Sequence, residues 1–220
     1  MVDFLDEVEQ DLSQENFYNL VRKIFPYFVA FSLIIVAVSS YYAWSNARII
    51  KSQELLSEEL MSANEFFQRN KLDEALKSYL NLLDKKNDNY SAIAGFKAAS
   101  VYLKQNKINE AMLVYEKIAK TPAFALIFRD QANLLFISYS FKKENDNSKL
   151  LDALDQIIHA DSPYKYNAME LKASMLMDLD KLDEAKNIFI ELSTNSSVPS
   201  TIQKNSQAII SINWKNYEKN

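Results

Sequence analysis

Cysteine is absent from the 220-residue chain, which excludes disulfides and thiolate metal sites but leaves the redox compartment open. Glycine occurs once, at Gly95, and proline four times. A single glycine excludes a glycine-rich loop that wraps a phosphate, and it also excludes most tight β-hairpin turns. The turns of this chain must therefore use Asn and Asp, which also tolerate turn conformations.

Groups for catalysis are equally scarce. The only histidine, His159, has Asp155 four residues before it on the same helical face, but nucleophilic or metal chemistry needs further partners. We interpret it as a surface or helix-end histidine. The Asp-Glu pairs at 73–74 and 183–184 stand at predicted helix starts, where acidic side chains complement the helix dipole. The sequence thus predicts a protein that is not an enzyme, with no catalytic residue, cofactor, metal site or small-molecule substrate.

Charge is distributed unevenly along the chain. Residues 1–23 carry a net charge of −4, and residues 24–220 hold equal numbers of acidic and basic side chains. A neutral remainder has no electrostatic footprint for nucleic acid, so we predict no nucleic-acid partner. The acidic leader also has Phe4, Leu5, Val8 and Leu12 at helical spacing. It is either a short docking helix or, because isolated short helices are marginal in water, a loosely ordered tail.

Residues 24–47 are the only stretch long enough to cross a bilayer, because all 24 of them are uncharged. As a helix they cover about 36 Å, against a hydrocarbon layer of about 30 Å. Aromatic residues lie at both ends, as expected at headgroup level. A cleaved signal peptide would have a basic leader and a shorter apolar run. A buried core helix would have a polar face, which Leu33–Val38 does not show. We predict a single membrane span in contact with the lipid bilayer.

A six-residue phrase occurs three times after the span, at 70–75 (NKLDEA), 106–111 (NKINEA) and 180–185 (DKLDEA). The copies begin 36 and then 74 residues apart, so a degenerate copy is expected between the last two, at 147–158. Each phrase opens an apolar pattern with spacings of three and four, which is typical of a helix. The Asn or Asp that opens it can adopt the turn conformation usually left to glycine. Each phrase therefore predicts a turn followed by a helix.

Small residues indicate how the helices pair. Ala63, Ala99 and Ala173 each lie twelve positions before the alanine that closes a phrase, and such a pair lets two antiparallel helices approach closely. We predict helical hairpins at about 51–86, 90–120, 123–160 and 163–194, within one domain over 48–220. A capping helix is expected at about 199–217, with Ile202, Ile209, Ile210, Trp214 and Tyr217 near one face. Residues 123–141 are apolar, but Arg129 and Asp130 interrupt them, so we expect a buried helix there and not a second span.

This pattern resembles the tetratricopeptide repeat. The second unit matches best, with Ala99, Tyr102, Asn106, Ala111, Tyr115 and Pro122. Asn or Asp replaces the turn glycine, the early tryptophan is missing, and the third unit matches poorly. The predicted fold is all-α: one N-terminal transmembrane helix followed by a tetratricopeptide-like α-solenoid of about four hairpins and the capping helix.

Stacked hairpins of this kind commonly bind peptides or partner proteins in a concave groove formed by their first helices. The groove candidates in this register are Asn64, Phe67, Ser100, Lys104, Asn133, Ile137, Ser174 and Met177. The alternative is that the partner lies against an edge of the stack or against the helix that leads from the membrane.

An acidic leader, one span with an aromatic exit, a linking helix at 49–70 and a small repeat domain together resemble the YfgM family. The resemblance implies a bacterial inner-membrane protein that is an ancillary subunit of the SecYEG translocon, with a periplasmic repeat domain. The implied partners are translocon subunits, periplasmic chaperones and emerging client polypeptides. No cofactor is implied.

The sequence allows two other interpretations. One is an envelope scaffold that coordinates cell-wall synthesis or division, and the other is a cytoplasm-facing adaptor. Charges beside the span do not decide the orientation, because Arg22 and Lys23 precede it and Arg48 and Lys51 follow it. Only the family resemblance assigns the repeats to the periplasm.

Overall fold

The structure, a computed structural model, describes residues 3–85, 89–141, 147–160 and 162–214, with side chains from Arg22 onward. These residues form nine α-helices and no strand, which confirms the predicted all-helical class. The helices are α1 (Asp3–Gln68), α2 (Leu72–Asp84), α3 (Asn89–Lys104), α4 (Ile108–Ala119), α5 (Leu126–Ser140), α6 (Ser148–His159), α7 (Lys165–Asp178), α8 (Leu182–Thr194) and α9 (Ser200–Asn213).

Helix α1 contains the predicted span. It is 66 residues long, and its most apolar 18-residue window has a mean hydropathy of 2.0 with no share of it buried. Among the described residues it is the one helix long and apolar enough to cross a membrane. The backbone of the acidic leader is helical from Asp3, so the leader takes the helical state of the two considered. The chain divides into two units, Met1–Leu55 and Leu56–Asn220.

In the second unit, the three repeated phrases adopt one turn geometry. Asn70, Asn106 and Asp180 have φ values of 57°, 59° and 59°, in the left-handed region. After each of them, the amide of the following lysine donates to the carbonyl five residues earlier, at 2.9 Å. This bond and the left-handed residue define a Schellman helix end, which satisfies carbonyls that the finished helix leaves over. The prediction that Asn or Asp replaces glycine at these turns is confirmed.

The alanine positions are buried completely. All six alanines of the three predicted pairs, residues 63, 75, 99, 111, 173 and 185, have no exposed surface. The aromatic residue four positions after each phrase is buried too: Tyr79 and Phe189 at 0% and Tyr115 at 5% exposure. Because these side chains fill the space between a helix and the next one, each phrase contributes one small and one large residue to the core.

In the described part of the second unit, the core consists of three clusters. One joins the end of α1 to α2, α3, α4 and α5, one joins α5, α6 and α7, and one joins α7, α8 and α9. In the last cluster Trp214 packs against Phe189 with ring centroids 6.3 Å apart, and Ile202 is buried. Tyr217, also assigned to this face from the sequence, lies outside the described residues.

Gly95 is buried in the middle of α3 because two other helices approach it. A β-carbon at this position would lie 2.7 Å from Cδ1 of Ile118 and 2.9 Å from Cδ1 of Leu83. These separations are well below van der Waals contact. Close packing therefore explains a glycine that costs about 1 kcal/mol in helix propensity relative to alanine.

The third repeat hairpin, formed by α5 and α6, differs from the other hairpins at its turn. Helix α6 begins at Ser148 and buries Leu150, Leu154 and Ile157, in keeping with the expected remnant of the phrase. Asn147, however, has a φ of −93°, so it is not in the left-handed conformation. Residues 126–140 form α5, which buries several of its residues in the core, as expected for this segment.

Candidate protein-binding surface

The eight predicted groove residues lie two each on α1, α3, α5 and α7, but their exposure differs widely. Ser100 and Lys104 are exposed, and Asn64, Phe67, Asn133, Ser174 and Met177 are half-buried. Ile137 is completely buried. The structure therefore offers seven of the eight side chains to a partner, to different extents.

Phe67 and Lys104 are the two candidates that the structure brings into direct contact. The ammonium of Lys104 lies 5.1 Å from the centroid of the Phe67 ring, within the range of a cation–π interaction. The same ammonium donates to Oδ1 of Asn70 at 3.3 Å, in the turn after α1. Since an ammonium carries three protons, Lys104 keeps donors for an incoming acceptor. A half-buried aromatic ring beside a cation suits a polypeptide that presents an apolar side chain next to a carbonyl or carboxylate.

Asn64 is fixed by a contact that the sequence did not predict. The hydroxyl of Tyr79 donates to its Oδ1 at 2.7 Å, so the amide nitrogen is directed away from Tyr79. Burial raises the pKa of Tyr79 above its ordinary value, which keeps the hydroxyl protonated and able to donate. Asn64 can therefore act as a donor toward a peptide carbonyl with its remaining N–H groups.

The two serine candidates differ from each other. Ser174 donates to the carbonyl of Glu170 in its own helix at 3.0 Å, so its proton is used locally. Ser100 is exposed on α3, one turn before Lys104. Of this pair, Ser100 is the better placed to contact a partner.

Residues on α5 and α7 belong more to the core than the sequence suggested. Ile137 has 0% exposure and packs with Leu134 and Leu154, so it does not line an open groove. The reason is that α6 and α7 both close over this side of α5. Met177 is half-buried against the cluster of α7, α8 and α9, and Asn133 is half-buried on α5. The best-supported part of the surface is therefore the end of α1 together with α3.

His159 is not paired with the Asp155 side chain. Its Nδ1 lies 2.7 Å from the backbone carbonyl oxygen of Asp155, which can only accept, so Nδ1 carries the proton in this contact. The carboxylate of Asp155 instead accepts from Lys172 of α7 at 2.5 and 2.7 Å. His159 is exposed at the end of α6, which confirms its interpretation as a helix-end histidine.

Polar contacts between neighbouring repeat hairpins were not predicted from the sequence and are present in the structure. Gln105 donates to Asp73 at 3.3 Å, and Lys117 pairs with Asp84. These partners stand 32 and 33 residues apart, close to the spacing of the first two phrases, so the repeat period was the signal that could have revealed them. The first contact places the start of one repeated phrase beside the end of the helix that precedes the next, and the second joins the C-terminal ends of α2 and α4.

A second missed contact holds the loop before α7. Ser162 donates to Oδ2 of Asp130 at 2.5 Å and accepts from the amide of Tyr164 at 3.1 Å. Asp130 and Ser162 are 9% and 8% exposed. Asp130 interrupts an otherwise apolar segment because its carboxylate receives this buried hydrogen bond, which offsets the cost of removing it from water. Its role is structural.

The end of α1 and the adjacent helix α3 therefore present a half-buried ring, a cation, an amide donor and a hydroxyl donor. This arrangement is suited to binding a polypeptide. In comparisons with known proteins, no family model, curated protein or solved structure matches the chain.

Proposed function

We propose that the chain is a non-catalytic, membrane-anchored module that binds other polypeptides. The observation that carries the proposal is the combination of an exposed apolar helix of membrane-spanning length with three copies of one helix–turn–helix geometry. The first feature favours an anchor in lipid. The second favours a scaffold that presents a surface, because repeated hairpins offer neighbouring helices at regular intervals.

The second unit is proposed to be a tetratricopeptide-like stack of hairpins. Three features support this arrangement: the left-handed turns at residues 70, 106 and 180, the buried alanines, and the polar contacts between the first two hairpins. The proposed binding surface centres on Phe67 and Lys104, which already form one contact across two adjacent helices.

The cellular role that we propose is the one implied by the resemblance to the YfgM family. In this proposal the span lies in the bacterial inner membrane beside the translocon, and the second unit holds chaperones or emerging clients on the periplasmic side. The exposed apolar segment of α1 supports the membrane part of this role. The partner and the side of the membrane are proposals that the following experiments test.

Sidedness is tested first, because it separates a periplasmic module from a cytoplasm-facing adaptor. The chain has no cysteine, so one introduced at an exposed position of the second unit, such as Lys97→Cys, is its only thiol. A membrane-impermeant maleimide should label this thiol in intact spheroplasts. Labelling only after lysis would place the domain in the cytoplasm and refute the periplasmic role.

Partner binding is tested with the tagged full-length protein, purified from gently solubilised membranes. We expect translocon subunits or periplasmic chaperones in the purified complex, at reduced yield for Phe67→Ala and Lys104→Ala. Lys97→Ala is the matched control, since Lys97 is an exposed lysine of the same helix that lies outside the candidate set. Absence of these partners would contradict the translocon role, and recovery of cell-wall synthesis or division proteins would favour the envelope scaffold.

A further inference from the structure

The C-terminal end of the apolar segment carries an aromatic and basic face, formed by Tyr41, Trp44, Arg48 and Lys51. Their spacings of three, four and three residues place all four on one side of α1. The rings of Tyr41 and Trp44 lie 6.4 Å apart and are 66% and 54% exposed. The face therefore lies open along more than two turns of the helix.

Arg48 lies over the indole of Trp44, with 4.1 Å between its guanidinium carbon and the ring centroid. Helical side chains lean toward the N-terminus of their helix, so Arg48 reaches back toward the apolar segment. Tryptophan prefers the headgroup level of a bilayer. With Trp44 at that level, the guanidinium of Arg48 is held at the depth of the lipid phosphates.

The charged side chains that flank the apolar segment are all basic as far as Lys51, and the first acidic one after the segment is Glu54, three residues beyond Lys51. Between Glu15 and Glu54 the chain has four charged side chains, Arg22, Lys23, Arg48 and Lys51, and all are basic. Within the part of the chain that the structure describes, neither Arg48 nor Lys51 forms an ion pair with a carboxylate. The stacked guanidinium keeps its donors at its edge, where they can reach an acceptor beside the helix.

We propose that Trp44, Arg48 and Lys51 form a binding site for the headgroup phosphate of an anionic phospholipid. A guanidinium donates two parallel hydrogen bonds to a phosphate, and Lys51, about one turn further along the helix, adds a second positive charge. Arg48 covers one face of the indole against the quaternary ammonium of a choline headgroup, and the two adjacent cations favour a lipid of net negative charge. The site therefore selects an anionic lipid over a zwitterionic choline lipid.

This inference rests on the membrane span of the proposed function, and its test separates the two. The full chain with Trp214→Phe, which leaves Trp44 as its only tryptophan, is reconstituted into vesicles that contain brominated phosphatidylglycerol or brominated phosphatidylcholine. Bromine on the acyl chain quenches a tryptophan next to that lipid. We expect the anionic lipid to reach half-quenching at a mole fraction lower by on the order of fivefold.

Two charge variants identify the residues responsible. When Arg48→Gln/Lys51→Gln is added to the Trp214→Phe chain, the quenching curves for phosphatidylglycerol and phosphatidylcholine should coincide. In the matched control Arg22→Gln/Lys23→Gln, which removes two cations from the other end of the span, the preference should remain. Coinciding curves in the parent protein, or a preference that survives in the first variant, would overturn the site.

The remaining outcomes concern the source of the phosphate and the span itself. Inorganic phosphate added at constant ionic strength should leave the preference unchanged, because a lipid phosphate is held at the depth of Trp44. Loss of the preference would mean that free phosphate competes for the site, which would overturn the lipid assignment. No quenching by either lipid would show that Trp44 lies outside the bilayer, and this result would refute the membrane anchor along with the site.

Discussion

Tyr79 on α2 donates a 2.7 Å hydrogen bond to Asn64 on α1 from a completely buried ring. The bond joins the two helices of the first hairpin and fixes the orientation of a predicted groove residue. Phe189, which has the corresponding position in the last hairpin, has no hydroxyl, so the same contact cannot form there. Two hairpins with the same local turn thus differ in how their helices are fixed together.

Removing the Tyr79 hydroxyl should lower the free energy of unfolding by about 1 kcal/mol, the usual net value of a hydrogen bond. Tyr79→Phe keeps the buried ring, so loss of packing contributes little. The measurement is urea unfolding of the full chain in detergent micelles, followed by circular dichroism. Asn64→Ala and the double variant complete a cycle that should give a coupling energy of about 0.5–1.5 kcal/mol. A cycle in which the two costs simply add would contradict the contact.

Gly95→Ala should destabilise the protein by about 1–2 kcal/mol, although alanine is the better helix former. The added β-carbon would lie 2.7 Å from Cδ1 of Ile118, and both Ile118 and Leu83 are fully buried and cannot turn into solvent. Ile118→Val, which deletes Cδ1, tests the cause. Alone it should cost about 1 kcal/mol, and in the Gly95→Ala background it should cost less than this or restore stability. Equal costs in both backgrounds, or a stabilising Gly95→Ala, would show that the space is not closed.

The left-handed turn at Asn106 should discriminate between alanine and glycine. Asn106 has a φ of 59°, a region that the short polar side chain of asparagine tolerates better than the methyl group of alanine, so Asn106→Ala should cost about 1 kcal/mol. Asn106→Gly should be neutral or stabilising, because glycine adopts this region freely. Lys107→Ala is the control, since Lys107 has a φ of −93° and is exposed, and its effect should stay within about 0.5 kcal/mol. Similar losses for all three variants in urea unfolding would refute the turn.

The buried contact between Asp130 and Ser162 should be more important than an exposed serine contact. Ser162→Ala leaves the carboxylate without its donor, so unfolding should become easier by about 1–3 kcal/mol. Ser138 is the matched control, because its exposed hydroxyl donates to the carbonyl of Leu135 in its own helix. Ser138→Ala should change stability by less than about 0.5 kcal/mol. Equal effects in urea unfolding would mean that the Asp130 carboxylate is satisfied in another way.

Alkaline pH should weaken the fold through Tyr115. Burial and, secondarily, the neighbouring Tyr139 ring stacked 6.2 Å away raise the pKa of Tyr115 above its ordinary value of 10.0. Above pH 10 the unfolded chain therefore loses this proton before the folded one does. The contribution of Tyr115 to stability is complete below pH 10 and is lost as the pH rises toward the pKa that Tyr115 has in the folded chain.

The corresponding measurement is the free energy of unfolding at a series of pH values from 8 upward. Tyr115→Phe should have a shallower decline above pH 10 than the parent protein. Tyr79, whose pKa burial also raises, accounts for part of the remaining slope, and Tyr79→Phe/Tyr115→Phe should flatten it further. Identical slopes for the parent and both variants would exclude these tyrosines as the cause.

Local features of the fold were predictable from residue order. The turns at Asn70, Asn106 and Asp180 follow from a repeated phrase, because a left-handed residue at a helix end is a short-range requirement of the backbone. The burial of the paired alanines follows from their constant offset of twelve residues. The uncharged segment before residue 48 identifies itself by length and composition alone.

The surface was less predictable than the turns. Phe67 and Lys104 were selected from their register, and the structure joins them, but the same register assigned the buried Ile137 to an open groove. Register gives the side of a helix and not what covers that side. Both α6 and α7 cover this side of α5, and the degenerate phrase predicted where α6 lies along the chain but not which side of α5 it packs against.

Residue order thus established the apolar helix and the helix boundaries near each phrase, since both depend on neighbours within a few turns. It also established the small residues between paired helices, since their offset of twelve residues occurs three times. The partners of Asp130, Asn64 and Gly95 became known from the folded chain alone. Each of these contacts joins residues 12 to 32 positions apart, or more than two helices at once, and chain geometry at that distance depends on how every intervening helix packs.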